Sequence, residues 1–138
     1  MYVFFIFQQK VEGYWKANNK KWKKFHFEDD YLLLEYALGC VPEHIIGWSK
    51  LDILYVPINI KKSHWMLGVV HLHARKIYIY DSFTEIIGPA KLKAIVTPLA
   101  RVMPQILKAV HYYEEGYPND MQEWGVQRVE NLPQQTNR

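Results

Sequence analysis

Apolar residues along the chain fall into two periodicities. Ile53, Tyr55, Val56, Ile58 and Ile60 concentrate β-branched and aromatic side chains in a short run, which predicts a strand over Asp52 to Ile60 with Pro57 marking an edge or a bulge. Trp65 to Leu72 and Lys76 to Tyr80 predict two further strands, and the short polar link His71 to Arg75 predicts that these two form an antiparallel hairpin with the first strand alongside. Between Pro89 and Tyr112 the spacing of Leu92, Ile95, Val96, Leu99, Val102, Met103, Ile106, Leu107 and Val110 is helical, and Pro98 and Pro104 predict either one kinked helix or two in line. A shorter helix is predicted from Glu28 to Leu38, with acidic residues at its start and Gly39 as its stop. After a loop rich in Gly, Pro, Asn and Asp from Gly116 to Asp120, Gln122 to Val129 reads as a last strand, followed by a polar tail. Met1 to Phe7 has strand-like Val, Phe and Ile content but no turn signal to place it. These elements predict one domain or part of one, with a strand meander at its core.

Composition narrows the class. With 138 residues, 49% hydrophobic, and few glycines and prolines, the chain suits one compact domain that needs no disulfide or metal to hold it. A single cysteine forbids an internal disulfide and every multi-cysteine zinc site, and no disulfide-linked partner is expected. The apolar start is too short to span a membrane and lacks the features of a secretory signal, so an intracellular location, nucleus or cytoplasm, is the expectation. A net charge of +3 does not point to nucleic acid. Lys16, Lys20, Lys21, Lys23 and Lys24 interleave with Tyr14, Trp15 and Trp22, which would suit phosphate contact with base stacking, but a solvated loop or helix face is the preferred reading.

The candidate chemistry lies at the strand ends. His64, in Ser-His-Trp at the start of one strand, is placed to act as a general base, and Asp81, in Tyr-Asp-Ser at the end of the next, is placed to meet it. In a hairpin the start of one strand lies beside the end of the following one, so the two side chains are expected to be neighbours, with the carboxylate fixing the imidazole tautomer. The plain alternative is a histidine that caps a strand and an aspartate that opens a turn. No nucleophile accompanies them. Cys40 follows a helix C-terminus with no basic neighbour in sequence and reads as a packing residue, while Ser63 and Ser82 would point to the opposite face from their neighbours. His26, His44, His71, His73 and His111 show no metal spacing; His71 and His73 share a strand face but have no third ligand nearby.

Val-Pro-Ile-Asn-Ile-x-x-x-His-Trp from Val56 to Trp65, Lys-Ile-Tyr-Ile-Tyr-Asp-Ser from Lys76 to Ser82 and Leu-Pro-Gln-Gln-Thr-Asn from Leu132 to Asn137 together resemble the ubiquitin-like-protein-specific, SUMO-deconjugating cysteine proteases, closest to the divergent plant and transposon-associated members. The resemblance covers residues 30–138, leaving 1–29 as a poorly defined N-terminal segment. It implies an α+β, papain-like fold with a central, mostly antiparallel sheet flanked by helices, and a thiol peptidase that cleaves after the C-terminal glycine of SUMO or another ubiquitin-like protein, without a cofactor. It also implies roles: His64 as general base, Asp81 as its orienting partner, Gln135 as the side-chain donor of the oxyanion hole, and Trp65 as a wall of the channel for the modifier's glycine-rich tail. Core packing is the equal alternative for Trp65. In the family pattern the catalytic cysteine stands six residues beyond the Gln135 position, and the sequence has three residues after Gln135. The family's early Trp-Leu-x-Asp segment has no counterpart before Asp30 either. The expectation is therefore a peptidase domain cut at both ends and without turnover by itself, the alternative being a catalytically dead module that still binds a modifier.

Overall fold

The computed structural model describes residues 7–17, 31–39, 47–60, 64–81, 87–113 and 122–130. Three helices, α1 (Phe7–Ala17), α2 (Tyr31–Leu38) and α3 (Pro89–Ala109), accompany four strands, β1 (Ile53–Ile60), β2 (His64–His71), β3 (Lys76–Tyr80) and β4 (Gly125–Arg128), with a 3-10 turn at Trp48–Lys50 leading into β1. The strands form one sheet in the order β1-β2-β3-β4. The first three make the expected antiparallel meander, while β4 returns parallel to β3, as a strand must when it follows a crossover helix such as α3.

Alternation decides which face of the sheet is covered. Leu54, Val56, Ile58 and Ile60 of β1, Met66 and Val70 of β2, and Ile77 and Ile79 of β3 are all buried. Against them stand Val96, Leu99, Val102, Met103 and Ile106 of α3, all within one core cluster. The opposite face carries the exposed Trp65 and Tyr80. Register is pinned at the β2–β3 link, where Arg75 takes a left-handed φ of 57° and its N–H donates to His71 O at 2.9 Å. That conformation is uncommon for a side chain with Cβ, and the Arg75 guanidinium is held 4.6 Å above the Tyr113 ring. A slip of one residue here would turn His64 from the inner face to the outer one.

Gly68 sits at the centre of the inner face, paired with Val56 on one side and Ile79 on the other. A Cβ at this position would lie 3.1 Å from Val56 O and 3.2 Å from Ile58 Cδ1. Backbone in a central ladder yields little, so Gly68→Ala is expected to cost about 1–3 kcal/mol, read as a lowered urea midpoint with an unchanged slope.

Of the two readings of Pro89 to Tyr112, the single helix is found: α3 runs unbroken through Pro98 and Pro104. Pro104 cannot donate to Ala100 O, and that carbonyl instead accepts the Trp124 N–H at 3.0 Å, so the gap in the helix becomes a tie to the segment entering β4. One expectation changes: the strand suggested for Met1 to Phe7 is not continued at its last residue, since Phe7 opens a helix, and residues 1–6 lie outside the described residues. Phe7, Val11, Tyr14 and Trp15 of α1 are all buried in the core. Two of the three aromatics in the basic cluster are thus core residues, with Arg101 5.5 Å above Trp15. Lys16 is exposed and the other four lysines and Trp22 lie outside the described residues. Gly39 ends α2 as expected, with φ 83°.

Candidate active site

The register that pairs Leu67 with Tyr80 places the next residue, Asp81, across from Met66, one diagonal step from His64. His64 and Met66 share the inner face, so the carboxylate and the imidazole converge beneath the sheet's end rather than above it. His64 Nε2 and Asp81 Oδ1 are 2.7 Å apart. An ionised carboxylate only accepts, so Nε2 carries the proton and donates. The pair is buried, His64 being 6% exposed and Asp81 0%. Water competes weakly for such a contact, which makes it directional and long-lived.

A third group belongs to this cluster and was not singled out from the sequence. Arg128, the last residue of β4, is paired with Ile79, two residues before Asp81 in β3. Its Nη2 lies 3.5 Å from Asp81 Oδ2 and donates to Ile87 O at 2.8 Å. Trp65, adjacent to His64, points the other way and is 52% exposed, so it is a surface side chain and not part of the core. Gln135, Cys40, Ser63 and Ser82 lie outside the described residues.

Of the other histidines, His26 and His44 lie outside the described residues, while His71 and His73 fall at or just beyond the end of β2 opposite His64. His71 rests edge-on to Tyr78, and His73 stands 3.5 Å from the exposed carboxylate of Asp52. Among the described residues no group of His, Cys, Asp and Glu is arranged to hold a metal ion, and no helix is long and apolar enough to cross a membrane. A cavity of about 430 Å³ opens between α3 and β4, lined by Leu92, Thr97, Trp124, Val126 and Arg128 among others. Arg128 lines it but neither His64 nor Asp81 does, so it is not the place where the pair would meet a substrate.

Comparison with known proteins gives this geometry a context. The family described as the Ulp1 protease family, C-terminal catalytic domain, matches residues 15–138. The Arabidopsis thaliana protein named "Putative ubiquitin-like-specific protease 1B" is 34% identical over 131 residues, covering 86% of this chain and 36% of that protein. Ubiquitin-like-specific protease 1 of Saccharomyces cerevisiae is 39% identical over 54 residues, covering 38% of this chain and 8% of that protein. Among solved structures, the SUMO protease Ulp1 with its catalytic cysteine oxidised to a sulfenic acid shares the fold, with a TM-score of 0.50 at 21% identity over 96% of this chain and 55% of that one. The chain thus spans about a third of the length of the Arabidopsis relative and less of the yeast one. Its α+β fold is that of the Ulp1 protease domains, and the chain belongs to the Ulp1 family of ubiquitin-like-protein-specific cysteine proteases, matching the catalytic domain of that family.

Proposed function

We propose that this chain supplies the base half of a thiol peptidase site acting on the bond after the C-terminal glycine of SUMO or a related ubiquitin-like protein. The observation that carries the reading is the buried 2.7 Å contact between His64 Nε2 and Asp81 Oδ1. With Nε2 engaged by the carboxylate, the ring nitrogen that takes the proton of an attacking thiol is Nδ1. The resulting imidazolium is stabilised by Asp81, which favours the thiolate–imidazolium pair that attacks the carbonyl carbon. Collapse of the tetrahedral intermediate expels the amine, to which the imidazolium returns the proton, and water then releases the acyl group by the same exchange in reverse. Gln135 is proposed to donate to the oxyanion, and the exposed Trp65 to line the approach of the modifier's tail.

The 138 residues contain one thiol, Cys40, which is not at the family's nucleophile position. A polypeptide of this sequence alone is therefore proposed to have no turnover, while a protein that continues into an Asp-Cys-Gly segment turns over. The test is labelling by SUMO and ubiquitin probes with an electrophile at the C-terminal glycine. It is run on this chain and on the same chain continued through the reading frame downstream of Arg138. Labelling of the longer protein only supports the reading. Labelling of the short chain that Cys40→Ser abolishes overturns the assignment of the nucleophile. If neither is labelled although both fold, the peptidase reading fails, and retained binding of the probe would leave a modifier-binding module in its place.

A further inference from the structure

We propose that Arg128 is a positioning residue for the His64–Asp81 pair, acting through the second oxygen of the carboxylate. The effect on rate rests on the peptidase reading, whereas the positioning itself does not. Asp81 stands directly after β3 and has two oxygens with different neighbours: Oδ1 meets His64 Nε2 at 2.7 Å and Oδ2 faces Arg128 Nη2 at 3.5 Å. Torsion about the Asp81 side chain moves both oxygens together, so whatever restrains Oδ2 also aims Oδ1.

Arg128 is itself restrained from two directions. The parallel register sets it opposite Ile79, and the Val129 N–H, one residue on, donates to Ile79 O at 2.9 Å, which fixes the backbone of β4 against β3 at this point. Its Nη2 also donates to the carbonyl of the fully buried Ile87, just before α3. Both contacts involve the one nitrogen, Nη2, whose two N–H bonds point in fixed directions in the guanidinium plane; an ammonium on a flexible stem lacks that fixed fork.

Charge gives the arrangement a second consequence. The Asp81 side chain is 0% exposed, and an isolated carboxylate in such a place is costly unless a positive charge compensates it. His64 supplies that charge only when protonated, which in a peptidase cycle is part of the time. Arg128, 20% exposed and permanently charged, supplies it throughout. The carboxylate is thus held in place while the imidazole passes between its neutral and cationic forms. Among the described residues, the charged groups facing Asp81 are His64 from β2 and Arg128 from β4, one switching and one constant positive group beside the carboxylate.

The experiment follows the His64 ring proton by NMR in the 138-residue chain labelled with ¹⁵N-histidine. A proton held between Nε2 and a buried carboxylate gives a downfield, slowly exchanging signal, assigned to His64 by its loss in His64→Gln. In Arg128→Gln this proton is expected to exchange about tenfold faster or more, the size of one charge-assisted contact, with partial recovery in Arg128→Lys. A folded Arg128→Gln chain with unchanged ring-proton shift and exchange would overturn the proposal and leave Arg128 as a tie between β4 and Ile87. Should the glutamine variant fail to fold, the lysine variant decides: it keeps the charge without the fork, so faster exchange is expected and an unchanged rate would overturn. Failure of the peptidase reading is read separately. If the chain carrying a downstream nucleophile is never labelled by the probe, that reading fails, while the ring-proton result still decides the role of Arg128.

Discussion

His64→Ala, in the chain continued into its nucleophile, is expected to lower the rate of probe labelling by about a thousandfold, with binding of the modifier little changed. In the proposed mechanism, removing the imidazole takes away the group that accepts the thiol proton, and a thiol of ordinary acidity presents little thiolate at neutral pH. Asp81→Asn is the finer test of the same geometry. An asparagine must offer its carbonyl to one neighbour and its amide to the other. With Arg128 Nη2 3.5 Å away on one side, the carbonyl turns to the guanidinium and the amide turns to Nε2. An amide donor facing Nε2 selects the tautomer protonated at Nδ1, which cannot accept a proton from the thiol. Loss in Asp81→Asn is therefore expected to approach that of His64→Ala. If both variants retain wild-type labelling while folded, the base is not His64.

Much of this site was legible because it depends on local rules. Short runs rich in β-branched and aromatic residues placed β1, β2 and β3 within a residue of their ends, and the geometry of a hairpin brings His64 and Asp81 together without knowledge of anything else in the chain. Arg128 followed no such rule. It stands 47 residues from Asp81 in sequence, and the two meet only because α3 carries the chain across the sheet and returns β4 parallel to β3. Nothing in Gly-Val-Gln-Arg announces that crossing. Helix α3 shows a different limit: two prolines leave one helix and two in line both open where the segment is considered alone, and the donor that compensates for Pro104 comes from Trp124, on another segment. A signal for α1 was present and outweighed. Phe7, Val11, Tyr14 and Trp15 fall at i, i+4, i+7 and i+8, a helical stripe, but Gly13 within it and the strand-like residues before it pull a local reading elsewhere.

Phe7→Ala is expected to destabilise the chain by about 3–5 kcal/mol, the range for emptying a buried aromatic site. Phe7 is 0% exposed, and its ring meets Tyr36 edge-on at 5.2 Å and Trp48 at 5.3 Å, joining α1 to α2 and to the turn before β1. Both partners are themselves buried, and burial pushes the Tyr36 phenol above its usual pKa, so the vacated space would be enclosed by groups already withdrawn from water. Typical domains have only about 5–15 kcal/mol in all, so the variant should unfold at much lower urea concentration. Leu38→Ala is the control, since Leu38 is 59% exposed and its loss should move the midpoint by less than about 0.5 kcal/mol. An unchanged midpoint in Phe7→Ala would mean that α1 is not part of the folded core. The expected result carries a consequence for the site, because α1 rests on β1 as well as on α3, and β1 is the strand whose Ile60 is paired with His64. A helix that begins before the matched family region, at residue 15, would then belong to the structure that holds the base.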